Sequence, residues 1–369
     1  MTSLLDELRG LSSVACDTLN ADVASKFGPF VDCTSNQAIA YSELSRVNGD
    51  GKLVYERLIY ESIEVAHWMF GKQSDATLEE LAVELMMVNL ALLIAPHTTG
   101  CLHIQTNPKL AYSTSKTIKN AERIHSNFSH LSPSTSPTRI CMKIPATYEG
   151  LAACRFLEQR GITTLATTLF SLEQAVLAAD SGCRYVAPYV NELKVHFEPG
   201  YVDPTRADSL LLCGLIQEYF SRLGAQRGRP VKTEVMAASF TNVEEVMQLA
   251  GIRNVTVSPG LLEQLAGTRA EGWTGATVGM VERFAGGLED EGRARGLERL
   301  VMEGDEAGWR MAFTRCEEGR AEGKLIQALN IFADVQERLE EVVRRGVKQG
   351  ASPHHHPSVQ MPNELMGCS

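Results

Sequence analysis

Eight short apolar or β-branched segments recur along this 369-residue chain, each ending in polar residues and each followed by a longer stretch with helical periodicity. Strands that alternate with helices predict parallel βαβ units, and eight of them in one continuous series favour a closed barrel. We therefore predict the α/β class and a (β/α)8 TIM barrel, with an open doubly wound sheet as the alternative. The predicted strands are Ser13–Cys16, Phe30–Cys33, Cys101–Gln105, Ile140–Ile144, Thr163–Thr167, Tyr185–Tyr189, Glu234–Ala238 and Asn254–Ser258.

Two places depart from simple alternation. The predicted helices Val54–Phe70 and Ala76–Ile94 both fall between the second and third strands, and a Gly-rich, charged segment from Ala266 to Gly308 follows the eighth. The periodic stretch Lys324–Arg345 predicts a long amphipathic helix that packs over the barrel. The other predicted helices are Ser115–His130, Tyr148–Gln159, Leu172–Asp180, Ala207–Leu223, Val243–Leu249 and Leu261–Leu265.

We predict a single domain over residues 1–350 and a disordered tail over residues 351–369. The tail carries a His triplet, His354–His356, flanked by Pro353 and Pro357. A flexible segment accounts for this triplet better than a metal site does.

The charge balance excludes several classes of function. The net charge is −10, and no run of Lys and Arg is interleaved with aromatic residues, so a nucleic-acid partner is not expected. The chain shows no secretory signal and no apolar stretch that could span a bilayer, which predicts a cytoplasmic protein that is not bound to membranes. Nine cysteines without CxxC spacing predict reduced thiols and no metal site.

Lys143 is the most informative residue, because it is a lone cation inside the apolar strand Ile140–Ile144. A lysine that points into a packed barrel loses hydration, which disfavours its charged form and leaves a neutral amine as a nucleophile. Such an amine suits imine chemistry on a ketone. The alternative is a lysine at the strand end that extends to solvent.

Other polar residues stand at the carboxyl ends of the predicted strands, where barrel active sites are built. They are Asp17, Thr34, Asn36, Gln105, Thr167, Tyr189 and Ser239. Six of them also have a structural explanation: Asp17 and Ser239 as helix N-caps, Thr34 and Asn36 in turns, Thr167 as a β-branched strand residue and Tyr189 in the core. Their joint placement around Lys143 favours a catalytic site.

From about Val14 to Arg345, the sequence resembles the transaldolase family. The resemblance is carried by Val-Ala-Cys-Asp17, Asp32-Cys-Thr-Ser-Asn36, Lys143-Ile-Pro-Ala-Thr-Tyr-Glu-Gly150, Thr167-Thr-Leu-Phe-Ser171, Pro188-Tyr-Val, Val-Met-Ala-Ala-Ser-Phe240 and Val-Ser-Pro-Gly-Leu-Leu262. It implies a barrel with an extra C-terminal helix and class I aldolase chemistry without metal or organic cofactor.

The same resemblance implies a role for each matching residue. Lys143 would form the imine with the ketose C2, and Asp17 would act as general base and acid on the hydroxyl beside the breaking bond. Asn36 would bind a donor hydroxyl. Thr167 and Gln105 would position the water used in imine formation.

Three positions differ from most transaldolases and look like fructose-6-phosphate aldolase. They are Gln105 in place of Glu, Tyr189 in place of Phe and Ala187 in place of Ser. A Tyr hydroxyl beside the water can supply the proton that quenches the enamine, so the three-carbon unit would leave by hydrolysis.

Two further positions concern phosphate. The family holds the sugar phosphate with two arginines, and at the matching places this chain has Glu192 and Thr241. Each lost charge-assisted contact costs roughly 1.5–3 kcal/mol, so tight binding of phosphorylated sugars is not expected.

Three functions stay open at this stage. The first is a class I aldolase that uses a small ketose or hydroxyketone donor and an aldehyde acceptor without phosphate. The second is a transaldolase that moves dihydroxyacetone between sedoheptulose 7-phosphate and glyceraldehyde 3-phosphate, and the third is a barrel that binds without catalysis. The partners expected are small-molecule ketoses and aldehydes, for a monomer or homodimer.

Overall fold

The structure, a computed structural model, describes residues 2–70, 75–228, 230–275, 301–302 and 304–350. Eight strands form a closed barrel, in which each strand pairs in parallel with the next and β8 pairs with β1. The prediction of a (β/α)8 TIM barrel is therefore confirmed. The strands are β1 (Ser13–Asp17), β2 (Cys33–Thr34), β3 (Leu102–Gln105), β4 (Ile140–Pro145), β5 (Thr163–Leu169), β6 (Tyr185–Pro188), β7 (Glu234–Ala237) and β8 (Asn254–Val257).

Helices surround the barrel, and every helix predicted from periodicity is present with bounds shifted by a few residues. The structure adds α1, α2, α3 and α12, which were not among the predicted helices. The helices are α1 (Leu4–Leu11), α2 (Ala21–Phe27), α3 (Gln37–Leu44), α4 (Glu56–Phe70), α5 (Leu78–Ile94), α6 (Thr114–Leu131), α7 (Tyr148–Glu158), α8 (Leu172–Asp180), α9 (Arg206–Arg227), α10 (Val243–Gln248), α11 (Pro259–Gly267), α12 (Glu306–Arg315) and α13 (Arg320–Gly350).

The second strand begins later than predicted, at Cys33 instead of Phe30. Phe30 forms only an isolated bridge with Thr98. The backbone N–H of Cys101 donates to the Asp32 carboxylate at 2.5 Å instead of joining the sheet ladder. A side chain has therefore taken a hydrogen bond that a longer strand would use.

Close packing fixes the carboxyl end of β4, two residues beyond Lys143. A Cβ atom at Gly150 in α7 would lie 2.1 Å from the backbone oxygen of Pro145. Only glycine therefore allows the helix to pack this closely against the strand. Thr147 caps α7, its hydroxyl accepting from the backbone N–H of Gly150. The segment after the lysine is thus a rigid strand-to-helix connection.

The long C-terminal helix α13 packs over the barrel as predicted, against α3, α4 and α5. Its Phe332 is completely buried and reaches the cavity at the carboxyl ends of the strands. The predicted disordered tail, residues 351–369, lies outside the described residues, as does much of the Gly-rich segment before α12. In the described part of the chain, no helix is long and apolar enough to cross a membrane.

Candidate active site

A cavity of about 450 Å³ opens at the carboxyl ends of the strands. Five of the predicted site residues line it, although they come from strands far apart in the sequence. They are Asp17, Asn36, Lys143, Tyr189 and Ser239. The parallel barrel brings them together because every strand presents its carboxyl end at the same mouth.

Lys143 lies on the inner side of β4 with 3% of its surface exposed. Among the described residues, no side-chain hydrogen bond or ion pair engages its amine, while its backbone oxygen accepts from the N–H of Thr106. The amine therefore has no internal partner and shares the cavity with the Asp17 carboxylate. The predicted alternative, a lysine extending into solvent, does not fit this burial.

Asp17 is held at the end of β1 by Thr34, whose hydroxyl donates to the carboxylate at 2.6 Å. Because that bond uses the only proton of Thr34, the 2.5 Å contact between the Thr34 and Thr256 hydroxyls is donated by Thr256. Asn20, not Asp17, caps α2. The second carboxylate oxygen of Asp17 is therefore available to the cavity.

The three residues expected around the catalytic water are Gln105 at the end of β3, Thr167 in β5 and Tyr189 after β6. Gln105 pairs with Lys143 across β3 and β4, and both of its side-chain amide atoms are buried without a protein partner. The Thr167 and Tyr189 hydroxyls lie 3.2 Å apart, next to an irregularity in β5 between Ala166 and Leu169. Unsatisfied amide atoms and a hydroxyl pair suit the binding of a water molecule.

The oxygen and the nitrogen of the Asn36 side-chain amide have different roles. Its side-chain oxygen accepts from the backbone N–H of Ile39 at 3.0 Å and caps α3, so the predicted structural role is real. Its amide nitrogen has no hydrogen-bond partner among the described residues and stays available at the cavity as a donor.

Ser239 follows β7 in a left-handed backbone conformation, with φ at 65°, that is uncommon outside glycine. Its hydroxyl donates to the backbone oxygen of Asn191 at 2.9 Å, and Asn242, not Ser239, caps α10. His196 lies 2.9 Å from the same hydroxyl and also lines the cavity. No sequence signal identified His196, because it follows β6 in a short 3₁₀ turn without a motif.

The structure does not bring Glu192, Thr241 or Ala187 into the cavity lining. The Glu192 carboxylate accepts from the Tyr201 hydroxyl and, at 2.7 Å, from the Gln327 amide of α13, so it tethers the C-terminal helix. Thr241 is exposed and bonded to Glu245. Ala187 is buried within β6.

The opposite end of the barrel carries a group of residues that could hold a metal ion. Within the described ranges, one such group is found: Asp32, Cys101 and His103. His103 lies 3.1 Å from the Asp32 carboxylate. Burial raises the pKa of Asp32, but the hydrogen bond and charge of His103 outweigh it and hold that pKa below its usual value. A buried hydrogen bond between His103 and Asp32 accounts for this pair of side chains.

A larger cavity of about 1020 Å³ also lies at that end, between α1 and α9. It is lined by Ser13, Val14 and Glu234 at the beginnings of their strands, and by none of the predicted site residues. The chemistry-bearing side chains therefore lie at the smaller cavity, at the carboxyl mouth.

Comparison with known proteins shows which family the chain is similar to. The profile of the family described as transaldolase/fructose-6-phosphate aldolase matches residues 14–293. A transaldolase of Gloeobacter violaceus is 27% identical over 92% of this chain and 81% of its own length, and one of Agrobacterium fabrum is 27% identical over 95% and 100%. A transaldolase of Histophilus somni is 30% identical over 72% of this chain and 80% of its own.

Proposed function

The chain belongs to the transaldolase/fructose-6-phosphate aldolase family, an enzyme family of the class I aldolase and transferase type, and on that premise we propose that Lys143 forms a Schiff base with a small ketose or hydroxyketone. The observation that carries the proposal is the buried Lys143 amine, without a counter-ion among the described residues, in one cavity with Asp17. An amine and a carboxylate in one cavity provide the nucleophile and the general base that this chemistry requires.

The proposed reaction begins at the carbonyl of a ketose whose first three carbons form a dihydroxyacetone unit. The Lys143 amine adds to C2, water leaves, and an iminium forms. Asp17 then takes the proton of the hydroxyl beside the breaking bond, an aldehyde departs, and the bonding electrons move to the iminium to give an enamine. The open Asp17 oxygen and the Asn36 amide are available for the hydroxyls involved.

The enamine has two possible fates. Attack on an acceptor aldehyde gives transfer, whereas protonation followed by hydrolysis releases the three-carbon unit. The Tyr189 hydroxyl lies 3.2 Å from that of Thr167, at the cavity that contains Lys143, and it favours release by supplying the proton that quenches the enamine.

We propose that the acceptor aldehyde carries no phosphate. Glu192 and Thr241 replace the arginines that the family resemblance leads one to expect, and both are bonded within the protein. The Ser239 proton is also already donated, to Asn191. No arginine is found among the described residues that line the cavity.

Transfer between phosphorylated sugars is the second candidate. It is favoured by the relatives from three bacteria, all named transaldolase. Coupled assays with glyceraldehyde and glyceraldehyde 3-phosphate as acceptors distinguish the two candidates.

Borohydride trapping tests the shared first step. The protein is incubated with dihydroxyacetone, fructose 6-phosphate or sedoheptulose 7-phosphate, reduced, and its adduct located by peptide mass spectrometry. We expect the adduct on Lys143, its loss in Lys143→Met, and its retention in Lys116→Met, an exposed lysine of α6. A protein that gives no adduct with any of these donors contradicts the proposal and favours a binding protein.

A further inference from the structure

The contact between His196 and Ser239 determines which ring nitrogen carries the proton. Ser239 has one hydroxyl proton, which it donates to the backbone oxygen of Asn191 at 2.9 Å. The 2.9 Å contact with His196 Nε2 must then be donated by the ring. Nε2 therefore carries hydrogen.

The second ring nitrogen is left as an acceptor. The His196 side chain is exposed and lines the cavity, and the part of its hydration that it loses there lowers its pKa, which the attraction of the Asp17 and Glu245 carboxylates offsets only in part. On its own turn, the nearest cation, Lys194, is engaged by Glu198 at 3.1 Å. At neutral pH the ring is uncharged, with a lone pair on Nδ1. In the described part of the chain, no donor occupies that lone pair.

The position of this lone pair relates it to the substrate. His196 lines the cavity that contains Lys143 and Asp17, and it stands at the mouth where the far end of an acceptor would lie. An acceptor atom attracts a hydroxyl and repels a phosphate oxygen, which also carries lone pairs and negative charge. This is the reverse of what a phosphate clamp provides.

We infer that His196 is a specificity-determining residue that selects acceptor aldehydes with a terminal hydroxyl, by accepting that hydroxyl's hydrogen bond at Nδ1. The inference rests on the proposed function and deepens it by naming the group recognised. Ser239 acts as the positioning residue, because its 2.9 Å contact with Nε2–H fixes the ring and leaves Nδ1 as the open acceptor.

The test compares two aldehydes that differ by one hydroxyl, glyceraldehyde and lactaldehyde, with dihydroxyacetone as donor. We expect the wild-type enzyme to prefer glyceraldehyde in kcat/KM by about 10-fold, the value of one hydrogen bond. His196→Leu should abolish the preference by lowering kcat/KM for glyceraldehyde alone. His196→Asn, whose amide oxygen still accepts, should retain part of it, and His130→Leu on the surface of α6 serves as the matched control.

Borohydride trapping of dihydroxyacetone on Lys143 is measured in the same variants, and it distinguishes failure of the proposed function from failure of the role given to His196. Loss of the adduct in the wild-type enzyme refutes the proposed function. An adduct in every variant, together with equal preference in wild-type and His196→Leu enzymes, refutes the role of His196 alone. Failure of His196→Asn to restore any preference refutes the hydrogen bond in favour of a purely structural role.

Discussion

Replacing Tyr189 by Phe removes one oxygen atom from the candidate site. The Tyr189 ring is 3% exposed and packs edge-on against Phe170, with ring centres 5.5 Å apart, and this packing survives the substitution. The substitution removes the hydroxyl and with it the 3.2 Å contact to the Thr167 hydroxyl. One neutral buried hydrogen bond contributes about 0.5–1.5 kcal/mol, a small part of the roughly 5–15 kcal/mol that stabilises a domain, so the variant should remain folded.

The effect on chemistry should be much larger than the effect on stability. If the Tyr189 hydroxyl protonates the enamine, its loss removes general-acid assistance worth about 10²–10⁴-fold from hydrolytic release. Attack of the enamine on an aldehyde does not use that proton. We therefore expect the ratio of transfer product to released dihydroxyacetone to rise about 100-fold or more.

Tyr185→Phe is the matched control, because Tyr185 begins β6 and Tyr189 directly follows the end of that strand. Its ring contacts His103 at the opposite end of the barrel, with centres 5.2 Å apart. Both products are quantified by chromatography with a saturating acceptor, alongside urea unfolding. If the product ratio is unchanged in Tyr189→Phe, or changes equally in both variants, the role given to this hydroxyl is wrong.

Three further changes address the rest of the site. Asp17→Asn keeps an oxygen for the Thr34 hydroxyl but loses the proton acceptor, so kcat for aldol cleavage should fall about 10²–10⁴-fold while imine trapping persists; an unchanged kcat excludes Asp17 as the base. Glu192→Ala and Gln327→Ala, taken singly and together in urea unfolding, should show a coupling of about 1.5–3 kcal/mol for their 2.7 Å bond; additive effects would contradict the tether. Finally, the pKa of His196 is lowered from 6.5, so the ring gains its positive charge only as the pH falls below that value. In that acidic range, the ratio of kcat/KM for glyceraldehyde 3-phosphate to kcat/KM for glyceraldehyde should rise. A ratio that does not change with pH in the wild-type enzyme would contradict the neutral state assigned to His196 at neutral pH.

Lys143 and the strand-end polar residues were recognisable from sequence because barrel geometry makes strand position informative. A polar residue at the carboxyl end of any of the eight strands faces the same mouth, so Asp17, Asn36 and Ser239 could be grouped without coordinates. Glu192 shows the limit of that reasoning. Its position in the motif indicates the phosphate end of the site, yet its carboxylate is bonded to Gln327, which is distant in sequence.

His196 was beyond sequence reasoning for a different reason. Its importance depends on a 2.9 Å contact with Ser239 and on where the Ser239 proton goes, and neither quantity has a local sequence signal. Phe332 is a similar case, since only the docking of α13 over the barrel brings it to the cavity.

The eight strands, nine of the helices and the chemical types at the mouth could be predicted from the sequence alone, because periodicity and strand ends are local properties of the chain. The sequence favoured a closed barrel over an open sheet, and the pairing of β8 with β1 decided between them. The tertiary structure decided which of those side chains remain available. Hydrogen-bond partners far apart in sequence occupy Glu192 and Ser239, and they leave Lys143 and one oxygen of Asp17 open. Internal hydrogen bonds determine which donor and acceptor atoms remain available to a substrate, and the packing of distant segments settles those bonds.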